Sequence, residues 1–135
     1  MGESRILIVE DDFLGRNLLS RIVAGFGSVD TAVDGQEAVD AVKAAFEAGS
    51  PYDLVLLDIM MPGKDGHTAL REIREFERSK EVFASDGCKV VMTTALGDAK
   101  NVMSAFKNQC EGYITKPYTV ESVTDQILKL GFTKG

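Results

Sequence analysis

Apolar positions along the chain follow two rhythms. Short unbroken runs, Ile6-Leu7-Ile8-Val9, Leu54-Val55-Leu56-Leu57 and Val90-Val91-Met92, predict strands. Continuous rather than alternating hydrophobicity suits a parallel sheet covered on both faces. Between the runs, apolar residues recur at helical spacing, each stripe fitting one buried helix face. The stripes are Leu14, Leu18 and Ile22 with Leu19 and Val23; Ala38, Val39, Val42 and Phe46; Leu70, Ile73 and Phe76; Val102, Met103 and Phe106; and Val120, Val123, Ile127 and Leu130. Asp34 with Glu37 has the spacing of a capping box opening the second helix. Two weaker strands complete the set. Residues 28–32 alternate Val29 and Thr31 with polar neighbours, as an edge strand does. Tyr113-Ile114-Thr115 stops before Pro117, which cannot continue a central ladder.

Strand and helix thus alternate five times. Short connections make the strands parallel and the crossovers right-handed. The expected fold is α/β, a three-layer doubly wound sandwich with five helices around a five-stranded parallel sheet. The chain of 135 residues is the size of one domain. Its core should run from about residue 5 to 130, and no effector domain is expected in 1–135. The polar stretch from Glu77 to Gly87 reads as a helix end running into an exposed loop.

Composition narrows the function. Lys and Arg number 15 against 21 Asp and Glu, a formal charge of −6. Binding nucleic acid through its phosphates needs a basic face, so direct nucleic-acid binding is not expected. An acidic cluster holding a cation fits better. Apolar runs of four residues are far short of the ~20 that span a bilayer. The N-terminus lacks the pattern of a secretory signal. A cytoplasmic location without membrane insertion follows as the expectation. Cys88 and Cys110 form no Cys-x-x-Cys motif, so they read as two ordinary thiols in a reducing compartment.

Ligands of open parallel sheets bind outside the carboxyl ends of the strands. The residues that follow the predicted strands are therefore the ones to inspect. They are Glu10-Asp11-Asp12 after the first, Asp58 after the third, Thr93-Thr94-Ala95 at the fourth and Lys116-Pro117 after the fifth. Crowded carboxylates raise one another's pKa unless a cation intervenes. A hard divalent ion with oxygen ligands, Mg2+ above all, answers that and also binds phosphate oxygens. A carboxylate beside such an ion can act as nucleophile on a phosphoryl group. A lysine and a threonine hydroxyl can stabilise the charge on the transferring group. Each element alone is common in loops and caps. Their conjunction at four strand ends points to a metal-dependent phosphoryl site.

These blocks resemble the receiver domain of two-component response regulators, in particular the single-domain chemotaxis regulators. The resemblance covers Arg5 to about Leu130. It rests on Val9-Glu10-Asp11-Asp12, on Asp58-Ile59-Met60-Met61-Pro62-Gly63-Lys64-Asp65-Gly66, on Thr94-Ala95 and on Gly112-Tyr113-Ile114-Thr115-Lys116-Pro117. It implies a flavodoxin-like strand order of 2-1-3-4-5 and a cis Lys116–Pro117 peptide. It also implies roles for single residues. Asp58 is the phosphoacceptor. Asp12 binds Mg2+ directly, Asp11 binds it through water, and Met60 lends its backbone carbonyl. Lys116 binds the phosphoryl group, Thr94 is the switch hydroxyl, and Tyr113 is the switch aromatic.

The function so implied is acceptance of a phosphoryl group onto Asp58 in a Mg2+-dependent reaction. The donor would be a phosphohistidine on a sensor histidine kinase or a histidine phosphotransfer protein. The chain would be a phosphoacceptor that assists its own phosphorylation and dephosphorylation, and not an enzyme in the usual sense. Output would pass to a downstream protein through the face made by the fourth helix, fifth strand and fifth helix, with Lys100, Met103, Lys107 and Tyr118 presenting it. Two rivals remain at this stage. A pseudo-receiver, an interaction module that is never phosphorylated, needs none of Asp11, Asp12, Asp58, Thr94 and Lys116. An aspartyl phosphatase needs a general acid two residues after its nucleophile, where this chain has Met60.

Overall fold

The computed structural model describes residues 4–82, 86–95 and 109–134. Strands β1 (Ser4–Val9), β2 (Gly27–Ala32), β3 (Leu54–Asp58), β4 (Lys89–Thr94) and β5 (Gly112–Thr115) form one sheet in the order β2-β1-β3-β4-β5. Every described pairing is parallel. Helices α1 (Phe13–Val23), α2 (Gly35–Glu47), α3 (Gly66–Ser79) and α4 (Val120–Lys129) connect or follow the strands. The helix predicted around Val102, Met103 and Phe106, with Lys100 and Lys107, lies outside the described residues, so α4 is the fifth helix of the sequence reading. The doubly wound architecture and strand order are as expected.

Strand parity builds two cores. Side chains alternate across a strand. Leu7 and Val9, Val55 and Leu57, and Val90 and Met92 therefore pack on one face with Ala38, Val39 and Val42 of α2 and Leu70 and Ile73 of α3. Ile6 and Ile8, Leu54 and Leu56, Val91 and Ile114 pack on the other with Leu19 and Val23 of α1 and Val123 and Ile127 of α4. Each such side chain contributes roughly 1.5–3 kcal/mol by leaving water. This double coverage explains why the central strands are unbroken in hydrophobicity. Edge strand β2 faces solvent at several positions, as its weaker pattern implied.

Three features depart from the hydrophobic pattern. Strand β1 begins at Ser4, because Ser4 and Arg5 pair with Gly27 and Ser28. On α1, Leu14 and Leu18 belong to the predicted stripe yet are exposed, and Leu19 and Val23 alone are buried. Arg74 on α3 is buried. It donates from Nε to Gln109 O, from Nη1 to Cys88 O and Glu77 Oε1, and from Nη2 to Glu111 Oε1. That clasp ties α3 to the starts of β4 and β5. Cys88 and Cys110 are free, buried thiols, and burial pushes Cys88 up to about 12.

Because all strands run the same way, their carboxyl ends share one edge. Asp12, Asp34, Asp65 and Thr119 cap the helices that begin there. The turn from β3 into α3 closes with Gly66 N–H donating to Ile59 O at 3.0 Å. A side chain at Gly66 would meet backbone, with Asp58 O 2.4 Å and Ile59 Cα 2.8 Å from the new Cβ. Gly63 in the same turn has φ 76° and open space around it. Gly66→Ala should therefore cost about 3 kcal/mol through overpacking, and Gly63→Ala about 1 kcal/mol through its left-handed backbone. Urea unfolding of both variants checks this, and equal losses would contradict the close approach at Gly66.

Candidate functional site

The site lies on the carboxyl edge of β1, β3, β4 and β5. Glu10 extends β1 by one residue, its N–H donating to Ala32 O at 3.1 Å. Its parity is that of Ile6 and Ile8, so its side chain turns to the α1 and α4 side of the sheet. Asp58, last in β3, has the parity of Leu54 and Leu56 and turns to the same side. The two carboxylates meet there, each only 1% exposed.

Lys116 binds both. Its Nζ lies 3.0 Å from Asp58 Oδ2 and 3.3 Å from Glu10 Oε1. Its backbone is anchored by Lys116 N–H donating to Thr94 O at 2.8 Å, and the Lys116–Pro117 peptide is cis. The other Asp58 oxygen, Oδ1, accepts from the Met60 N–H at 3.2 Å. Glu10 Oε1 accepts from the Tyr118 hydroxyl at 2.7 Å, and Oε2 from the Asp12 N–H at 3.2 Å. Arg16 Nη1 donates to Glu10 O at 2.8 Å and so steadies the turn after β1.

Burial first, then the Glu10 carboxylate, push the Asp58 carboxyl up to about 7, with Lys116 opposing. Burial also works to raise Glu10. Hydrogen bonding with Asp58, Tyr118 and the Asp12 N–H outweighs it and holds Glu10 below the ordinary carboxylate range. The two neighbouring acids are thus pushed in opposite directions. For Lys116, burial is outweighed by Asp58 and then Glu10, so the ammonium is held above its ordinary value.

Glu10, Asp11 and Asp58 place carboxylate oxygens within 4.8 Å of one another, which could hold a metal ion. The donors are all oxygen, and three acids stand against one ammonium. That chemistry fits a hard divalent cation such as Mg2+.

The sequence-predicted residues divide accordingly. Asp58, Lys116 and Asp11 come together. Asp12 is the N-cap of α1, its carboxylate accepting from Gly15 N–H at 2.8 Å. The physical reason is local. Asp12 directly precedes Phe13, the first residue of α1, and a short acid there satisfies a free helix N–H. Glu10, just before Asp11, is the acid buried beside Asp58. Met60 contributes its N–H to Asp58, and its side chain is exposed. Thr94 is buried at the end of β4, and Tyr113 is 37% exposed on β5. Neither belongs to the hydrogen-bonded group around Asp58 among the described contacts. Tyr118, expected on an outward face, turns its hydroxyl inward to Glu10.

Comparison with known proteins agrees with this architecture. The family model "Response regulator receiver domain" matches residues 6–128. A chemotaxis protein CheY of Halobacterium salinarum is 38% identical over 124 residues, covering 91% of this chain and 92% of its own. Among solved structures, the CheX–CheY–BeF3–Mg2+ complex from Borrelia burgdorferi is similar with a TM-score of 0.78 and 32% identity, covering 94% of this chain and 88% of that one. The co-crystal structure of the Saccharomyces cerevisiae histidine phosphotransfer signaling protein Ypd1 and the receiver domain of Ssk1 matches with a TM-score of 0.77 and 25% identity, covering 96% and 90%. Family match, relatives and sheet order converge: this chain belongs to the response regulator receiver domains of two-component signalling.

Proposed function

We propose that this receiver, as a unit spanning about residues 5–130, accepts a phosphoryl group from phosphohistidine onto Asp58 in a Mg2+-dependent reaction. The observation that carries this reading is the buried Asp58 carboxylate, bonded to Lys116 and flanked by Glu10 and Asp11 at the edge of the sheet. An Asp58 oxygen attacks phosphorus, the new O–P bond forms, and the P–N bond to the donor imidazole breaks. Glu10, Asp11 and Asp58 would hold the cation, with Met60 adjoining Asp58, and Asp12 serves as the cap of α1. Mg2+ bound there would neutralise the charge on the phosphoryl oxygens. Lys116 turns its ammonium from the Asp58 carboxylate to the group bound there.

The donor is a sensor histidine kinase or a histidine phosphotransfer protein. The fold similarity to the Ssk1 receiver, crystallised with Ypd1, supports a donor of that kind. Signalling follows from Thr94 drawing toward the phosphoryl group and Tyr113 turning inward, a shift between existing states. The exposure of Tyr113 and the open groove lined by Tyr113, Thr115, Ser122, Gln126 and Lys129 between β5 and α4 support that face as the contact for a downstream protein.

Incubation with Mg2+ and phosphoramidate should add one phosphoryl group by intact mass, and Asp58→Asn should abolish the addition. Labelling that persists in the variant would contradict the assignment. A second check needs no phosphodonor. Asp58 is raised from 3.8 to about 7 on folding, so its contribution to stability is present in acid and is lost as pH rises toward 7. In chelator, Asp58→Asn should therefore match wild type near pH 4 and exceed it by up to about 4 kcal/mol at pH 8. Mg2+ at pH 8 should narrow that gap by stabilising the wild type. Urea unfolding measures both effects, and a gap independent of pH would contradict the buried acid pair.

A further inference from the structure

We infer that Tyr118 is a positioning residue of this site, whose hydroxyl fixes the Glu10 carboxylate in the orientation that the divalent cation requires. The inference rests on the phosphoryl-transfer reading above and extends it to a residue outside the acidic and basic set.

The geometry is specific. Tyr118 OH donates to Glu10 Oε1 at 2.7 Å, while Oε2 accepts from the Asp12 N–H at 3.2 Å. Each oxygen of this buried carboxylate therefore has its own fixed donor. Glu10 carries one more rotatable bond than an aspartate, so it needs such restraint to present an oxygen reproducibly. The tyrosine is well placed to provide it. Its ring is half-buried against the core on the α1 and α4 side of the sheet. Thr119, the next residue, is the N-cap of α4.

Lys116 cannot do the same task. Its ammonium is shared with Asp58 at 3.0 Å and is the group that must turn toward an incoming phosphoryl anion. Tyr118 is neutral and is not drawn away. Burial and the Glu10 carboxylate outweigh the Thr93 hydroxyl and keep the phenol protonated, so it remains a donor. The Lys116 Nζ also sits 5.9 Å from the centre of the Tyr118 ring. A phenylalanine there would keep the ring packing and this cation–π contact and lose the hydroxyl's interactions with Glu10 and Thr93, of which the Glu10 bond is the one toward the cation site.

Tyr118→Phe therefore isolates the hydroxyl. Mg2+ binding to the full chain is measured by calorimetry without phosphodonor, and phosphorylation by phosphoramidate is followed across Mg2+ concentrations. The expected result is a rise of about 5–10-fold in both the Mg2+ Kd and the half-saturating Mg2+. The plateau rate should stay within about twofold of wild type, since saturating cation restores the site. In a Glu10→Gln background, Tyr118→Phe should have no further effect on Mg2+ affinity, a coupling that a merely structural role would not show. Tyr118→Leu, which also loses the ring, should match Tyr118→Phe in Mg2+ affinity while lowering the urea midpoint. An unchanged Kd in Tyr118→Phe, or a lowered plateau with unchanged half-saturation, would overturn the role of Tyr118 alone. A wild type that binds no Mg2+ and takes no phosphoryl group would overturn the phosphoryl-transfer reading itself.

Discussion

Two carboxylates buried side by side repel each other, and each loses several kcal/mol of hydration that only a close countercharge restores. Glu10 and Asp58 are in that position, and Lys116 is the countercharge. The arrangement depends on elements far apart in sequence. Strand β1 must end one residue before Glu10, β3 must end on Asp58, and the Lys116 backbone must bond to β4 through Thr94. The two apolar cores hold those strand ends in register. The site is therefore a stored electrostatic tension on a rigid frame. A divalent cation held by these carboxylates would relieve it.

The same tension explains why the neighbourhood is so well provided with donors. The Met60 N–H, the Asp12 N–H and the Tyr118 hydroxyl each take one carboxylate oxygen. Gly15 leaves room for this, since a Cβ there would stand 3.2 Å from Glu10 Oε1 and 3.3 Å from Asp12 Oδ2. Gly66 does likewise for the β3 end by letting α3 start against the Asp58 carbonyl. At Gly66 glycine is a requirement of backbone close packing, while at Gly15 it spares the two carboxylates a small shift.

Much of the frame was legible in the residues. Ile6-Leu7-Ile8-Val9 and Leu54-Val55-Leu56-Leu57 are apolar at every position because both parities are buried, and that alone implied helices on both faces. The strand order came from family resemblance, since periodicity says nothing about which strands are neighbours. The site was legible as a conjunction of strand ends, while the burial of Glu10 and the capping role of Asp12 were not. In Glu10-Asp11-Asp12, three adjacent acids give no hydrophobic signal of their own. Two signals could have resolved them. Glu10 continues the parity of Ile6 and Ile8, which turns it to the side that Asp58 shares with Leu54 and Leu56. Asp12, directly before the first helical residue, has the position of an N-cap. Other features left no trace at all. The Arg74 bonds to Cys88, Gln109 and Glu111 and the Tyr118 bond to Glu10 join residues 14 or more positions apart by polar contacts, which neither period nor composition encodes. Leu14 and Leu18 satisfy the helical period yet remain exposed, because period selects a stripe and cannot set its edge.

In the proposed function, Lys116 holds the buried acids together until a cation and a phosphoryl group take over, with Glu10, Asp11 and Asp58 as the acidic set. A crystal structure with Mg2+ and beryllofluoride tests it most directly. Mg2+ is expected among Glu10, Asp11 and Asp58, with its directly bound oxygens at about 2.1 Å. Beryllofluoride is expected on Asp58, with Lys116 Nζ moved from the Asp58 carboxylate onto a fluoride and the Asp12 cap on Gly15 intact. Mg2+ bound by Asp12 with that cap broken, or Lys116 still paired with Asp58, would contradict it.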